Sequence, residues 1–243
     1  MSGARLGATV HTGPAGHRPG EWMAAEMQEI PAVLRRLEAG RSTLARQLWP
    51  APGPPAGVVL VGRGSSEHAA HYGRYLLEMV SGRPASLFPP SLAPRSGRYD
   101  GYVAVGVSQS GETTDVVTAL DALRRAGAFA VGLTARPASP LAAVADVVVD
   151  LRTGVEQAVP ATKTFAASLA ALALLAEQLG AAPWPLAAWG RLVGAVEEVL
   201  ADDGPAQRAA ARIGPNDSVA CVGLGLLEPV AREAALKLQE AAL

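Results

Sequence analysis

From Val58 onward, short continuous apolar runs alternate with longer stretches in which apolar residues recur every three or four positions. VVLVG (58–62), GYVAVGVS (101–108), AFAVGLT (128–134) and DVVVDL (146–151) lack polar alternation, as strands buried on both faces do. A shorter strand is predicted at Pro84–Phe88. Between these runs the spacing predicts helices over Glu67–Val80, Thr113–Arg125 and Pro140–Ala145, then a long Ala/Leu helix over Thr162–Leu179. Strands alternating with helices of this length make βαβ units, and therefore a parallel sheet with right-handed crossovers. The expected fold class is α/β: a doubly wound parallel sheet flanked by helices.

The flanks are read the same way. Residues 1–20 have the composition of a disordered tail. Residues 21–49 form an N-terminal helical arm, with Trp22, Met23, Met27, Ile30, Leu34 and Leu37 at helical spacing and Pro31 as a kink or restart. An arm of this kind often packs on a partner. The first domain is expected over 55–201, its last helix at about 184–201. A helix over 205–213 then leads to SVACVGLG (218–225), predicted as a strand, and to a helix over Leu227–Ala242. This last unit repeats the strand, G-x-G turn and helix of 58–80. One strand and one helix cannot bury their own faces, so 205–243 is expected to be the beginning of a truncated second domain.

Composition narrows the class. Of 243 residues 49% are apolar and 18% charged, with a net charge of −1, which excludes global disorder. The balance of charge and the lack of a Lys/Arg cluster argue against nucleic acid or an anionic membrane as partner. The longest apolar run, Ala166–Ala176, is too short to span a bilayer, and residues 1–20 lack the apolar stretch of a secretory signal. Cys221, the only cysteine, has no disulfide partner within the chain and makes a cysteine-based metal site implausible. A soluble, cytoplasmic protein is expected. Only two of the 21 basic residues are lysines, Lys163 and Lys237, in a chain that otherwise uses arginine. Such lysines are candidates for positions that need a compact ammonium.

Four elements could carry chemistry. Gly62-Arg63-Gly64-Ser65-Ser66 and Ser108-Gln109-Ser110-Gly111-Glu112-Thr113 are strand-to-helix turns at the carboxyl ends of parallel strands, the edge where such sheets bind ligands. Backbone N–H groups and the helix dipole favour an anion there, and the hydroxyls add donors: together, a cradle for a phosphate monoester or a sugar hydroxyl. A capped tight turn accounts for the first element by itself. The second has more hydroxyls than a cap needs, and no nucleotide-binding fingerprint competes with it. In the third, Glu156–Thr164, Thr162 is placed to cap the following helix. Lys163 would oppose the dipole of that helix, which points to a functional role or to pairing with Glu156. In the fourth, Glu233, Lys237 and Glu240 share one helix face, a spacing that by itself describes a solvated Glu–Lys pair. His68 and His71 are read as surface or site-edge residues. No further His or Cys completes a metal site around them.

Taken in order, GRGSS, SQSGETTD, the Ser139-Pro140-Leu141-Ala142 step, E-x-x-V-x-A-T-K-T and E-x-A-L-K-L-x-E resemble the sugar isomerase (SIS) domain proteins. The similarity is greatest to the isomerase half of glutamine–fructose-6-phosphate aminotransferase and to related amino-sugar-phosphate deaminases. It implies that Ser108, Gln109, Ser110 and Thr113 bind a phosphate, with Ser65 and Ser66 beside the sugar. It further implies that Val159 and Ala161 line the pocket, that Lys237 contacts the sugar and that Glu240 is the general base moving a proton between C1 and C2. No metal or organic cofactor is implied, and a homodimer is. Pro160 and Gln239 depart from the family pattern, and nothing in the chain matches the family's ring-opening histidine or C-terminal lysine. No glutaminase domain precedes the matching region. The resemblance therefore implies a sugar-phosphate isomerase or isomerising deaminase, with a non-catalytic sugar-phosphate-binding module as the alternative. Residues 1–57 are too short and too rich in Pro and Gly for the helix-turn-helix of a transcription regulator.

Overall fold

The computed structural model describes residues 20–48, 54–91, 97–213 and 218–241, so all but the last residue of the expected tail lies outside the described residues. The arm consists of α1 (Glu21–Gln28), α2 (Ile30–Ala39) and α3 (Arg41–Gln47), and Pro31 sits in the first turn of α2, where its missing N–H costs no bond. Then follow β1 (Gly57–Val61), α4 (Ser65–Ser81), β2 (Ala85–Leu87), β3 (Tyr102–Val107), α5 (Thr114–Arg125) and β4 (Phe129–Thr134). α6 (Pro140–Val144), β5 (Val147–Asp150), α7 (Lys163–Leu179), α8 (Ala188–Ala201), α9 (Gly204–Ile213) and α10 (Glu228–Ala241) complete the described elements.

All five strands pair in parallel, in the order β2-β1-β3-β4-β5. Because the side-chain period of a strand is two, alternate residues of β1 enter opposite layers. Val58 and Leu60 join a core with Ala69 and Leu77 of α4 and Leu172 and Leu175 of α7. Val59 and Val61 join a second core with Val116, Leu120 and Leu123 of α5 and Leu141 of α6. The sheet is therefore covered on both faces, which is why its strands read as unbroken apolar runs. This is the doubly wound α/β fold that the sequence pattern predicts.

The arm packs on its own chain: Val33, Leu34, Leu37, Leu44 and Leu48 belong to the same core as α7, and Trp189 and Val193 bring α8 to it. The predicted strand over 218–225 is absent. Residues 218–224 have no regular structure, and Val222 and Leu224 are 87% and 86% exposed. A strand needs a neighbour to pair with, and among the described residues no strand pairs with this segment. Its turn nevertheless repeats the first one. A Cβ at Gly62 would overlap the Ser66 carbonyl and one at Gly223 the Leu227 carbonyl, and Gly64 and Gly225 both have φ +58.

Candidate active site

The sheet order places the topological switch between β1 and β3, from which the chain winds outward in opposite directions. Val61 is in register with Gly106, so the turns that follow the two strands stand side by side at one edge of the sheet. α4 and α5 both begin there, and the first-turn N–H groups of each, lacking intrahelical partners, favour an anion.

The second turn is built to a tight plan. Ser108 is buried, and its Oγ accepts the Gly111 N–H (3.1 Å) and shares a hydrogen bond with Thr113 Oγ1 (3.0 Å). Ser110 Oγ accepts the Glu112 N–H (3.1 Å), and the Gln109 carbonyl accepts from Thr134 Oγ1 and from the Ala135 N–H (3.1 Å each). Gly111 has φ +63, and a Cβ there would overlap Ser139 Oγ. Ser139 in turn accepts the Ala142 N–H and caps α6, and the Leu141 N–H bonds the Gly111 carbonyl at 2.9 Å. The SQSGET and Ser-Pro-Leu-Ala steps are thus two halves of one packed turn.

The first turn does not use a serine cap. Gly64, at φ +58, occupies the N-cap of α4, which leaves the Ser65 hydroxyl to accept Lys237 Nζ at 3.1 Å. Arg63 reaches across the crevice to Asp115 of α5 at 2.6 Å.

The late motif is no solvated pair. α10 lies along α4, and Glu233 is buried, 5% exposed. Lys237 Nζ meets Glu240 Oε2 at 2.6 Å and Glu233 Oε1 at 3.2 Å, while Glu233 Oε2 meets His68 Nδ1 at 2.8 Å. Burial pushes the Glu233 carboxyl up, but the His68 bond, the nearby Ser65 hydroxyl and the charge of Lys237 outweigh it and bring it below its ordinary value. His71 meets Glu228 at 3.1 Å. Burial lowers its affinity for a proton, Glu228 opposes that, and Arg74, Arg232 and His68 add to the lowering. His68 and His71 thus pair with carboxylates of α10 and, together with the Ser65–Lys237 bond, tie that helix to α4.

The third element is corrected in two ways. Lys163 does not pair with Glu156. It is 2% exposed and meets Glu29 at 2.9 Å and Glu26 at 3.9 Å, both from the arm. Nor does the Thr162 side chain cap α7. Glu156 does so from within the loop, accepting the Thr162 N–H (2.7 Å), the Thr162 hydroxyl (3.1 Å) and the Thr164 N–H (3.4 Å). Glu26, itself buried, accepts the Gln157 and Ala158 N–H groups from 131 and 132 residues away. Its only sequence signal is a polar residue on the arm. Between these braces Val159 is 86% exposed and Ala161 half-buried. Among the described residues no hydrogen bond joins this loop to either turn. Ser65, Lys237 and Glu240 are brought together in one bonded group and Ser108 and Thr113 in another, while Ser110 lies in the same turn and bonds only the Glu112 N–H. Ser66 is half-buried in the first turn of α4.

A hydroxyl-lined crevice at the switch point of a doubly wound sheet, with a lysine and a carboxylate at its rim, is the arrangement of a small-molecule-binding α/β protein. The sequence pattern of the SIS domain matches residues 56–178, and this chain belongs to that family. It is 32% identical over 249 residues to a glutamine–fructose-6-phosphate aminotransferase (isomerizing) of Gloeobacter violaceus, covering 90% of this chain and 39% of that protein. Identity to the same-named protein of Pyrobaculum aerophilum is 33% over 233 residues, covering 91% and 38%. The chain thus spans about two fifths of the length of these relatives. Among solved structures it is similar to a candidate phosphosugar isomerase of Silicibacter pomeroyi DSS-3, with a TM-score of 0.77, 33% identity and coverage of 90% of this chain and 68% of that one. It shares the fold of the C-terminal domain of glucosamine-fructose-6-phosphate aminotransferase from Francisella tularensis, with a TM-score of 0.71, 22% identity and coverage of 94% and 69%. Among the described residues no helix is long and apolar enough to cross a membrane.

Proposed function

We propose that this chain binds an amino-sugar phosphate in the crevice between β1 and β3 and takes part in its aldose–ketose isomerisation. The observation that carries this is the Lys237 Nζ, which bonds Ser65 across 172 residues and holds Glu240 at 2.6 Å, so that the late carboxylate is brought to the first of the two turns. Ser108, Gln109, Ser110 and Thr113, with the start of α5, hold the phosphate. Ser65, Ser66, Val159, Ala161 and Lys237 surround the sugar. Glu240 removes a proton from C1 of the open-chain ketose and returns it to C2, while a second proton passes from O1 to O2, so that an enediol (an enolamine for the amino sugar) forms and collapses and no electrons leave the substrate. On this reading 205–243 is the opening of a second, related unit, supported by the matched turns at Gly62 and Gly223. A homodimer in the cytoplasm belongs to the same proposal.

The test is solvent exchange. Fructose 6-phosphate and glucosamine 6-phosphate are incubated with the protein in D2O, and deuterium at C1 or C2 is followed by NMR alongside calorimetric binding. Binding with exchange that Glu240→Gln abolishes is the expected result. Binding without exchange leaves a sugar-phosphate-binding module, and no binding removes the site altogether.

A further inference from the structure

α10 is held to α4 with little apolar burial, since only Pro229 and Glu233 of its residues are fully buried and Ala231, Ala235 and Leu236 are half-buried. The two helices meet through three polar rungs: Ser65 with Lys237, His68 with Glu233, and His71 with Glu228. The middle rung differs from the outer one in what lies behind it. Glu233 is enclosed, its side chain 6% exposed, and a carboxylate taken from water to that degree depends on the few groups that compensate its charge. His68 bonds Oε2, whereas Oε1 has no hydrogen bond and faces only the Lys237 ammonium 3.2 Å away, whose own hydrogen bonds go to Ser65 and Glu240.

We propose that His68 is a positioning residue, one that orients Glu233 so that Lys237 stays shared between the first turn and Glu240. Nδ1 faces the carboxylate and must carry the proton, donating to Glu233. With that donor removed, Glu233 turns both oxygens to the Lys237 ammonium, which is drawn along the helix away from Glu240, and the carboxylate loses its placement over the substrate carbon. The inference rests on the proposed role of Glu240 in proton transfer. Nothing recommends His68 in the sequence beyond its place three residues into α4.

The test uses the full chain with fructose 6-phosphate in D2O and reads exchange rate, calorimetric affinity and Tm together. His68→Ala is expected to slow exchange about tenfold or more, as loss of alignment does, with affinity within about threefold of wild type. His68→Asn, whose amide donates from nearly the place of Nδ1, restores most of the rate. Glu233→Gln, which keeps the packed shape, slows exchange in the same way. His71→Ala removes the outer rung, lowers Tm and, at saturating sugar phosphate that keeps α10 closed, leaves the rate within about twofold. Wild-type exchange in His68→Ala overturns the inference and leaves the site standing. A joint fall in affinity, rate and Tm that Asn does not reverse makes His68 a packing residue and overturns it equally. A wild-type protein that neither binds nor exchanges overturns both proposals.

Discussion

Replacing Gly111 by alanine is the sharpest perturbation of the second turn. The backbone there has φ +63, which costs an L-residue about 1 kcal/mol. The new methyl group would overlap the Oγ and Cβ of Ser139 and stand 2.9 Å from Thr134 Oγ1. None of these atoms is the free end of a flexible chain. Ser139 is 6% exposed and caps α6, so moving it removes the bond to Ala142. Overpacking of this kind costs about 1–3 kcal/mol, and loss of a cap about 1 kcal/mol more. The total of roughly 3–5 kcal/mol corresponds to a fall in Tm of about 10 °C for a chain of this size. A double-mutant cycle isolates the clash. In a Ser139→Gly background, whose cap is already gone, the same alanine meets no side chain at 139 and retains mainly the backbone strain, about 1 kcal/mol. Urea unfolding of the four proteins is expected to show a coupling of about 2 kcal/mol or more. Strict additivity, or a Gly111→Ala protein within about 1 kcal/mol of wild type, would refute the packed turn as described.

Two further outcomes follow from the braces. Glu156→Ala removes the acceptor for the Thr162 and Thr164 N–H groups, and is expected to cost about 1 kcal/mol, to speed amide exchange at those two positions and to weaken sugar-phosphate binding through Val159 and Ala161. Unchanged exchange at 162 and 164 would show that the loop does not depend on that carboxylate. Acidification should loosen α10. Both Glu233 and His71 release protons more readily in the folded chain than in the unfolded one, so the stability each contributes is complete above its unfolded value, about 4.3 and about 6.5, and is lost as pH falls through the lower folded value. Hydrogen exchange of α10 amides, corrected for intrinsic rates, should therefore rise as pH falls, first with His71 below about 6.5 and then with Glu233 below about 4.3. Protection that stays flat from neutral to acid pH would contradict this.

The sheet was legible because burial on both faces leaves an unmistakable mark: β1, β3 and β4 are apolar at every position but their glycines and flanking polar ends. The helices of the winding were legible for a related reason, since one face must be apolar to meet the sheet. The segment at 218–224 carries the same mark and forms no strand, because a run of apolar residues records a propensity and pairing requires a neighbour. The hydroxyl-rich turns could be found from composition and position, and the resemblance placed Lys237 and Glu240 with them. Glu26, Glu29 and the partner of His68 could not be found that way. Each acts on a residue more than a hundred positions distant, and a polar side chain on a helix looks alike whether it faces water or a buried partner. Lys163 shows the limit well: its rarity and its unfavourable place at a helix start mark it as unusual, but the partner named by proximity, Glu156, is not the one the fold supplies.

The slender apolar footing of α10 makes assembly of the crevice an equilibrium in its own right. Local openings draw on the elements with the least buried surface, and α10 carries half of the proposed chemistry while burying two residues. When it lifts, Ser65 keeps its place at the start of α4 and Lys237 and Glu240 leave together. The affinity such a molecule displays is its intrinsic affinity multiplied by the fraction of time the helix is closed. Salt, acidity or a neighbouring surface that clamps α10 would then tune ligand binding without touching a single atom of the hydroxyl-lined turns.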